Sequence, residues 1–77
     1  MFFKENPEKT KLRRDIRAKR SEIRELKKLH GKWINAFMQE HNPAMATCEI
    51  LVIRTQAARI AEAENVLLLM QKHYKLL

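Results

Sequence analysis

The chain has 77 residues and a formal net charge of +7, with one cysteine, one glycine and two prolines. A single cysteine cannot form an intrachain disulfide, and so little glycine and proline leaves few residues for turns. We therefore expect an all-α protein with one domain over residues 1–77, built from long helices in a reducing environment.

No targeting or membrane segment stands out in the sequence. Met1-Phe2-Phe3 is followed directly by charged residues, whereas a secretory signal needs an apolar core of about 7 to 15 residues. The longest strongly apolar run, residues 66–70, is far shorter than the roughly 20 residues that cross a bilayer. These features predict a cytoplasmic protein.

Two Asn-Pro pairs, Asn6-Pro7 and Asn42-Pro43, each predict the start of a helix. The Asn side chain can accept an unpaired backbone N–H, and Pro is well tolerated at the first helical position. We expect helix 1 over residues 7–41, a turn at 41–43 and helix 2 over residues 43–76. Gly31 costs about 1 kcal/mol relative to alanine inside a helix, so a kink, a close backbone contact or a break into three helices stays open there.

Helix 1 has apolar residues at heptad spacing, which predicts a coiled-coil seam. The a positions are Ile16, Ile23, His30 and Phe37, and the d positions are Leu12, Lys19, Leu26 and Trp33. Acidic g and basic e positions would suit a parallel partner chain, but a turn this short favours antiparallel packing of helix 1 on helix 2. We predict an antiparallel two-helix hairpin, or αα-hairpin, with parallel pairing between chains as the alternative.

Helix 2 is apolar around most of its circumference, as is typical of a helix inside a larger core. Because one helix cannot cover two sides of it, we predict a homodimer that forms a four-helix bundle, or a helical protein partner. The predicted interface residues are Ile50, Ile53, Ala57, Ile60, Leu67 and Met70. A separate stripe of Leu51, Leu69 and Leu76 would stay exposed in a simple hairpin dimer.

The positive charge is concentrated in helix 1. Residues 9–32 hold eleven Lys/Arg against three Asp/Glu, a local balance of +8. The ridge that we predict to meet a partner, called the basic ridge below, consists of Arg13, Arg17, Arg20, Arg24, Lys27 and Lys28. Such a ridge suits nucleic-acid phosphates or an acidic protein, and suits an anionic membrane surface less well.

Residues that could carry catalysis or bind a metal are few and scattered. The histidines and the cysteine are His30, His41, Cys48 and His73. A structural zinc site usually needs four nitrogen or sulfur ligands held close together, and Cys48 has no histidine at helical spacing to act as its base. We expect no catalytic residue, no metal site, no cofactor and no small-molecule substrate.

Two function hypotheses follow from the sequence. In the first, the protein is a non-enzymatic adaptor, assembly or chaperone-like protein that binds a protein partner through its apolar second helix and basic first helix. In the second, the basic ridge binds nucleic acid through phosphate contacts that do not depend on base sequence.

Overall fold

The computed structural model describes residues 6–77, which form two helices that pack against each other as a hairpin. Helix α1 spans Pro7–Gln39 and helix α2 spans Pro43–Leu76. Hydrogen bonds from Arg13 to Tyr74 and from His30 to Gln56 require antiparallel helices. The all-α class and the hairpin are confirmed. Residues 1–3, on which we based the absence of a secretory signal, lie outside the described residues.

Both helices begin with the predicted Asn-Pro caps. Asn6 Oδ1 accepts the backbone N–H of Glu8 at 2.9 Å, and Asn42 Oδ1 accepts that of Ala44 at 2.9 Å. The first four N–H groups of a helix have no intrahelical partner, so each bond satisfies one of them. No helix in residues 6–77 is long and apolar enough to span a bilayer.

Helix α1 ends at Gln39, two residues earlier than predicted, because Glu40 leaves the helical conformation. Glu40 has extended backbone angles, with φ −80° and ψ 133°. Its side-chain Oε1 accepts the backbone N–H of His41 at 3.0 Å and that of Asn42 at 2.9 Å. This carboxylate therefore orders the turn that leads into α2.

Gly31 does not interrupt helix α1, which continues through it. A Cβ placed on Gly31 would meet no other atom within 4 Å, and its φ is not positive. The three-helix alternative is therefore wrong, and Gly31 makes no close backbone contact within the hairpin.

The side of α1 that packs on α2 follows the predicted seam. The buried residues are Leu12, Ile16 and Ile23, and the half-buried ones are Leu26, His30, Trp33 and Phe37. Lys19, the one charged residue in the predicted seam, extends to its edge, where its Nζ lies 2.7 Å from Glu22 Oε2.

Helix α2 turns a less apolar side toward α1 than the sequence suggested. Its buried residues are Glu49, Gln56 and Ala63, which lie seven residues apart on one stripe. The half-buried Ile53, Ile60, Leu67 and Met70 lie around this stripe. No described side chain is fully buried, so the hairpin has only a thin core.

Candidate interaction surfaces

One exposed side of α2 carries an apolar strip, which we call the outer face. Its members are Ile50, Ala57, Ala61 and Leu68. Their intervals of seven, four and seven residues keep them on one side of a helix with about 3.6 residues per turn. All four are exposed, with Ile50 40% and Leu68 64% accessible. The outer face lies about 100° around α2 from the buried stripe, because Ile50 and Ala57 each follow a buried residue.

The six predicted interface residues therefore divide into two groups. Ile53, Ile60, Leu67 and Met70 are half-buried beside the seam within the hairpin, whereas Ile50 and Ala57 are exposed on the outer face. The separate stripe of Leu51, Leu69 and Leu76 is exposed as expected, with 57 to 76% of each residue accessible.

The contact between the helices includes two polar side chains of α2 that sequence reasoning missed. Glu49 is 5% and Gln56 is 8% accessible. His30 Nδ1 donates a hydrogen bond to Gln56 Oε1 at 3.1 Å, directly across the seam. A buried amide is costly unless it is hydrogen-bonded, so this pair ties the position of α2 to that of α1.

A pair of carboxyl groups, Glu40 and Glu49, lies where the hairpin turns. Burial raises the pKa of Glu49, and a hydrogen bond to Glu40 and the charge of Glu40 raise it further. The pKa of Glu40 is lowered, mainly by the hydrogen bond from the backbone N–H of Asn42. Burial of Glu40 opposes this shift, whereas hydrogen bonds from the N–H of His41 and from Glu49 add to it. Oε1 of Glu49 has no hydrogen-bond partner within residues 6–77. The pKa values of the two carboxyl groups are thus moved apart, and Glu49 keeps its proton to a higher pH than Glu40 does.

The basic ridge contains both paired and unpaired residues. Arg13 Nε and Nη2 donate to Tyr74 Oη at 3.3 and 3.0 Å, and Lys27 Nζ lies 2.9 Å from Glu64 Oε1. The other four residues are exposed and form no ion pair in the part of the chain that the structure describes. They are Arg17, Arg20, Arg24 and Lys28.

At the open end of the hairpin, cationic side chains gather around Tyr74. Lys9 Nζ lies 5.0 Å and Arg13 Cζ lies 5.8 Å from the centre of the Tyr74 ring, within cation–π range. An adjoining cavity of about 410 Å³ is lined by Arg13, Ile16, Arg20, Gln71, Tyr74 and Lys75. Sequence reasoning missed the contribution of α2, because these residues lie about 60 positions from Arg13 in the chain.

A second cavity, of about 400 Å³, is largely apolar. It is lined by Leu26, Leu29, Trp33, Leu51, Val52, Thr55, Gln56 and Arg59. Leu29 and Leu51 remain about half exposed within it. The hairpin therefore has apolar surface in this groove as well as on the outer face.

Within residues 6–77, no three side chains of the metal-binding types cluster together. No protein family model, no curated protein and no solved structure matches the chain.

Proposed function

We propose that the protein is a non-enzymatic, cytoplasmic assembly or adaptor protein that works as a homodimer, with the outer face of α2 as the contact between the two copies. The observation that supports this proposal is the exposure of the outer face beside a seam that buries Glu49 and Gln56. A second copy that covers the outer face gives α2 apolar neighbours on two sides, as its composition requires. The apolar groove at Leu29 and Leu51 then remains for a protein partner.

The accessible surface of the hairpin is large enough to allow such a contact. The chain exposes 6536 Å², whereas a compact protein of 9.2 kDa exposes about 4,900 Å². A dimer contact of standard size removes about 800 Å² from each copy. Dimerisation would thus bring the protein closer to the surface area that is usual for its mass.

The outer face is self-complementary about its centre. Counted along α2, intervals of four, three, four, three and four residues separate Ile50, Arg54, Ala57, Ala61, Glu64 and Leu68. Two copies of α2 that cross antiparallel between Ala57 and Ala61 place Ile50 of one copy opposite Leu68 of the other. The same operation places Ala57 opposite Ala61, and Arg54 opposite Glu64. A two-fold dimer requires this kind of matching, in which one patch complements itself.

Residue size and charge both fit this antiparallel pairing. Ala57 and Ala61 let the two helices approach closely at the centre, while Ile50 and Leu68 supply larger apolar side chains at the ends. Arg54 is exposed and forms no ion pair within residues 6–77. The Glu64 side chain is 45% accessible beside Lys27, so it can accept a second cation. Such exposed pairs select orientation more than they add affinity.

Substitution of Ala61 by glutamate tests the proposed dimer. Ala61→Glu places a carboxylate against Ala57 of the second copy. We expect the dimer dissociation constant to rise by about 100-fold or more. Ala18→Glu is the matched control, because Ala18 is also an exposed helical alanine but lies on α1. Sedimentation velocity over a range of concentrations, with circular dichroism to check helicity, measures the outcome. A monomeric wild-type protein, or equal dissociation of both variants, would contradict the proposal.

A second candidate function is nucleic-acid binding by the exposed part of the basic ridge. The residues that support it are Arg17, Arg20, Arg24 and Lys28, which are exposed and unpaired within residues 6–77. They extend over about 17 Å of helix, a length that can follow several phosphates along a duplex. Contacts of this kind would bind the backbone without reading the bases.

Salt dependence separates the nucleic-acid hypothesis from simple surface charge. We expect a labelled DNA duplex to bind at about 50 mM salt, and the double variant Arg17→Gln/Arg24→Gln to lower the slope of log affinity against log salt by about 2. The control Arg59→Gln/Lys72→Gln removes the same charge from exposed positions on α2. Fluorescence anisotropy measures both. Undetectable binding at low salt, or equal losses in the two variants, would contradict this function.

A further inference from the structure

We infer that the cavity between Arg20 and Lys75, at the open end of the hairpin, binds the phosphate group of a small soluble phosphate monoester. The cavity has a volume of about 410 Å³, which is within the usual range for small-ligand sites. Both helices line it, and none of the six lining residues is acidic. This site extends beyond the proposed assembly role and does not depend on it.

The charge of the cavity matches a dianion. Arg20 and Lys75 are exposed, and neither forms an ion pair within residues 6–77. A phosphate monoester carries about −1.5 to −2 charges at neutral pH and has three strong acceptor oxygens. Two cations without carboxylate partners therefore balance one such group.

The antiparallel arrangement explains why Arg20 and Lys75 reach the same cavity. Helical side chains lean toward the N-terminus of their own helix. Arg20 therefore leans toward the open end of the hairpin, whereas Lys75 leans away from it, toward the turn. The two side chains thus lean in opposing directions along the hairpin, and both line the cavity together with Ile16 and Gln71.

Tyr74 adds an oriented neutral donor to the site. Its Oη accepts hydrogen bonds from two nitrogen atoms of Arg13, at 3.3 and 3.0 Å, so the phenol hydrogen is left to donate. The side-chain amide of Gln71 supplies another donor. Ile16 is 7% accessible and forms an apolar wall, beside which charge-assisted hydrogen bonds are stronger than in water.

The cavity shares one residue, Arg20, with the proposed nucleic-acid surface and none with the outer face. Its α2 residues, 71–75, follow Leu68, where the proposed dimer contact ends. Arg24 and Lys28, which belong to the proposed nucleic-acid surface, do not line it. A phosphate ligand here can therefore be tested independently of oligomeric state, and variants of Arg24 and Lys28 separate its binding from duplex binding.

Nuclear magnetic resonance titration of the full chain with methyl phosphate tests the site directly. We expect saturable shifts at the backbone amides of Gln71, Tyr74 and Lys75. Dimethyl phosphate, which carries a single negative charge and only two terminal oxygens, should bind about tenfold more weakly at matched ionic strength. Equal binding of both probes, or shifts that do not saturate, would overturn the inference.

Charge-neutral variants then show whether the cavity or the general charge binds the probe. Arg20→Gln and Lys75→Gln should each weaken methyl phosphate binding by about tenfold, because each removes one charge-assisted contact. Arg24→Gln and Lys28→Gln remove the same charge outside the cavity and should leave binding within about twofold of wild type. Circular dichroism verifies that all four variants remain helical. Equal weakening by the two pairs of variants would overturn the site.

Discussion

The two sides of α2 differ in the residues that they present. The stripe against α1 has Glu49, Gln56 and Ala63 at its centre, whereas the outer face is apolar and exposed. A helix that packs on only one neighbour normally turns its apolar side inward. Packing against α1 therefore accounts for the residues of the buried stripe, but it does not account for the apolar residues of the outer face.

The polar residues of the buried stripe reduce its apolar contact with α1, but they fix the position of α2 along α1. A seam of apolar heptads alone can slide by seven residues with little change in its contacts. The hydrogen bond from His30 to Gln56 exists in only one of these registers. We interpret this pair as the element that sets the register of the hairpin, in the way that polar residues at seam positions do in coiled coils.

Enlarging an alanine on each side of α2 should give the largest contrast. Ala63 is 8% accessible, so Ala63→Leu overfills the seam and should cost about 2 kcal/mol of hairpin stability. Ala57→Leu should leave hairpin stability nearly unchanged but weaken the dimer about tenfold, because it separates the two helices at their closest approach. Urea unfolding and sedimentation measure the two effects. Identical behaviour of the two variants would remove the distinction between the sides.

Removal of the polar pair should have the next largest effect. Gln56→Leu leaves the Nδ1–H of His30 without its partner, His30→Leu does the same to the amide of Gln56, and each should cost about 1 to 2 kcal/mol. The double variant His30→Leu/Gln56→Leu removes both polar groups and should recover most of this loss. Chemical unfolding of the single and double variants measures the coupling. Additive losses would show that the pair does not act as a unit.

Gly31→Ala should stabilise the protein by about 1 kcal/mol, since alanine is the better helix former. The new methyl group meets no atom within 4 Å, so no steric cost offsets the gain. Gly31 lies on α1, away from the proposed dimer contact on α2, so the substitution should not alter the dimer dissociation constant. Thermal unfolding measures the effect, and a destabilised variant would indicate that Gly31 contacts a partner.

The carboxyl pair at the turn should produce the smallest effect, and it depends on pH. The folded-state pKa of Glu49 lies above 4.5 and that of Glu40 lies below it. Stability from Glu49 is therefore lost as pH rises above 4.5 through its raised pKa. Stability from Glu40 is lost as pH falls below 4.5 through its lowered pKa. The contribution of the pair should peak near pH 4.5.

Glu49→Gln tests this pH dependence, because glutamine keeps a donor for Glu40 and cannot ionise. We expect the melting temperature of the variant to exceed that of the wild type by a margin that grows as pH rises above 4.5. Glu62→Gln, at an exposed position of α2, is the control for the loss of one carboxylate. A margin for Glu49→Gln that does not change with pH would contradict the raised pKa of Glu49.

Local signals made the helix boundaries and the α1 seam predictable, but they did not determine the orientation of α2. The cap at Asn42 and the heptads from Leu12 to Phe37 act within a few residues of sequence. Helix α2, in contrast, is apolar around most of its circumference, so the spacing of its apolar residues does not indicate which side packs against α1. The side of α2 that faces α1 is instead the one whose polar residues meet His30 of α1 and Glu40 of the turn.

The cavity at Tyr74 could not be found from local patterns, because its residues come from both ends of the described chain. It becomes predictable only when the register is known. With His30 opposite Gln56, antiparallel helices bring Arg13 opposite Tyr74. A contact between residues 61 positions apart thus depends on a hydrogen bond in the middle of the hairpin.

A distance between two copies of α2 tests the antiparallel dimer most directly. Cys48 is exposed, so Cys48→Ser allows a single spin label at Leu69→Cys, a position that is 68% accessible and outside the outer face. Antiparallel crossing between Ala57 and Ala61 predicts a label-to-label distance of about 30 Å by electron paramagnetic resonance. A distance of about 10 Å, as in a parallel pair, or no coupling at all, would contradict the antiparallel dimer.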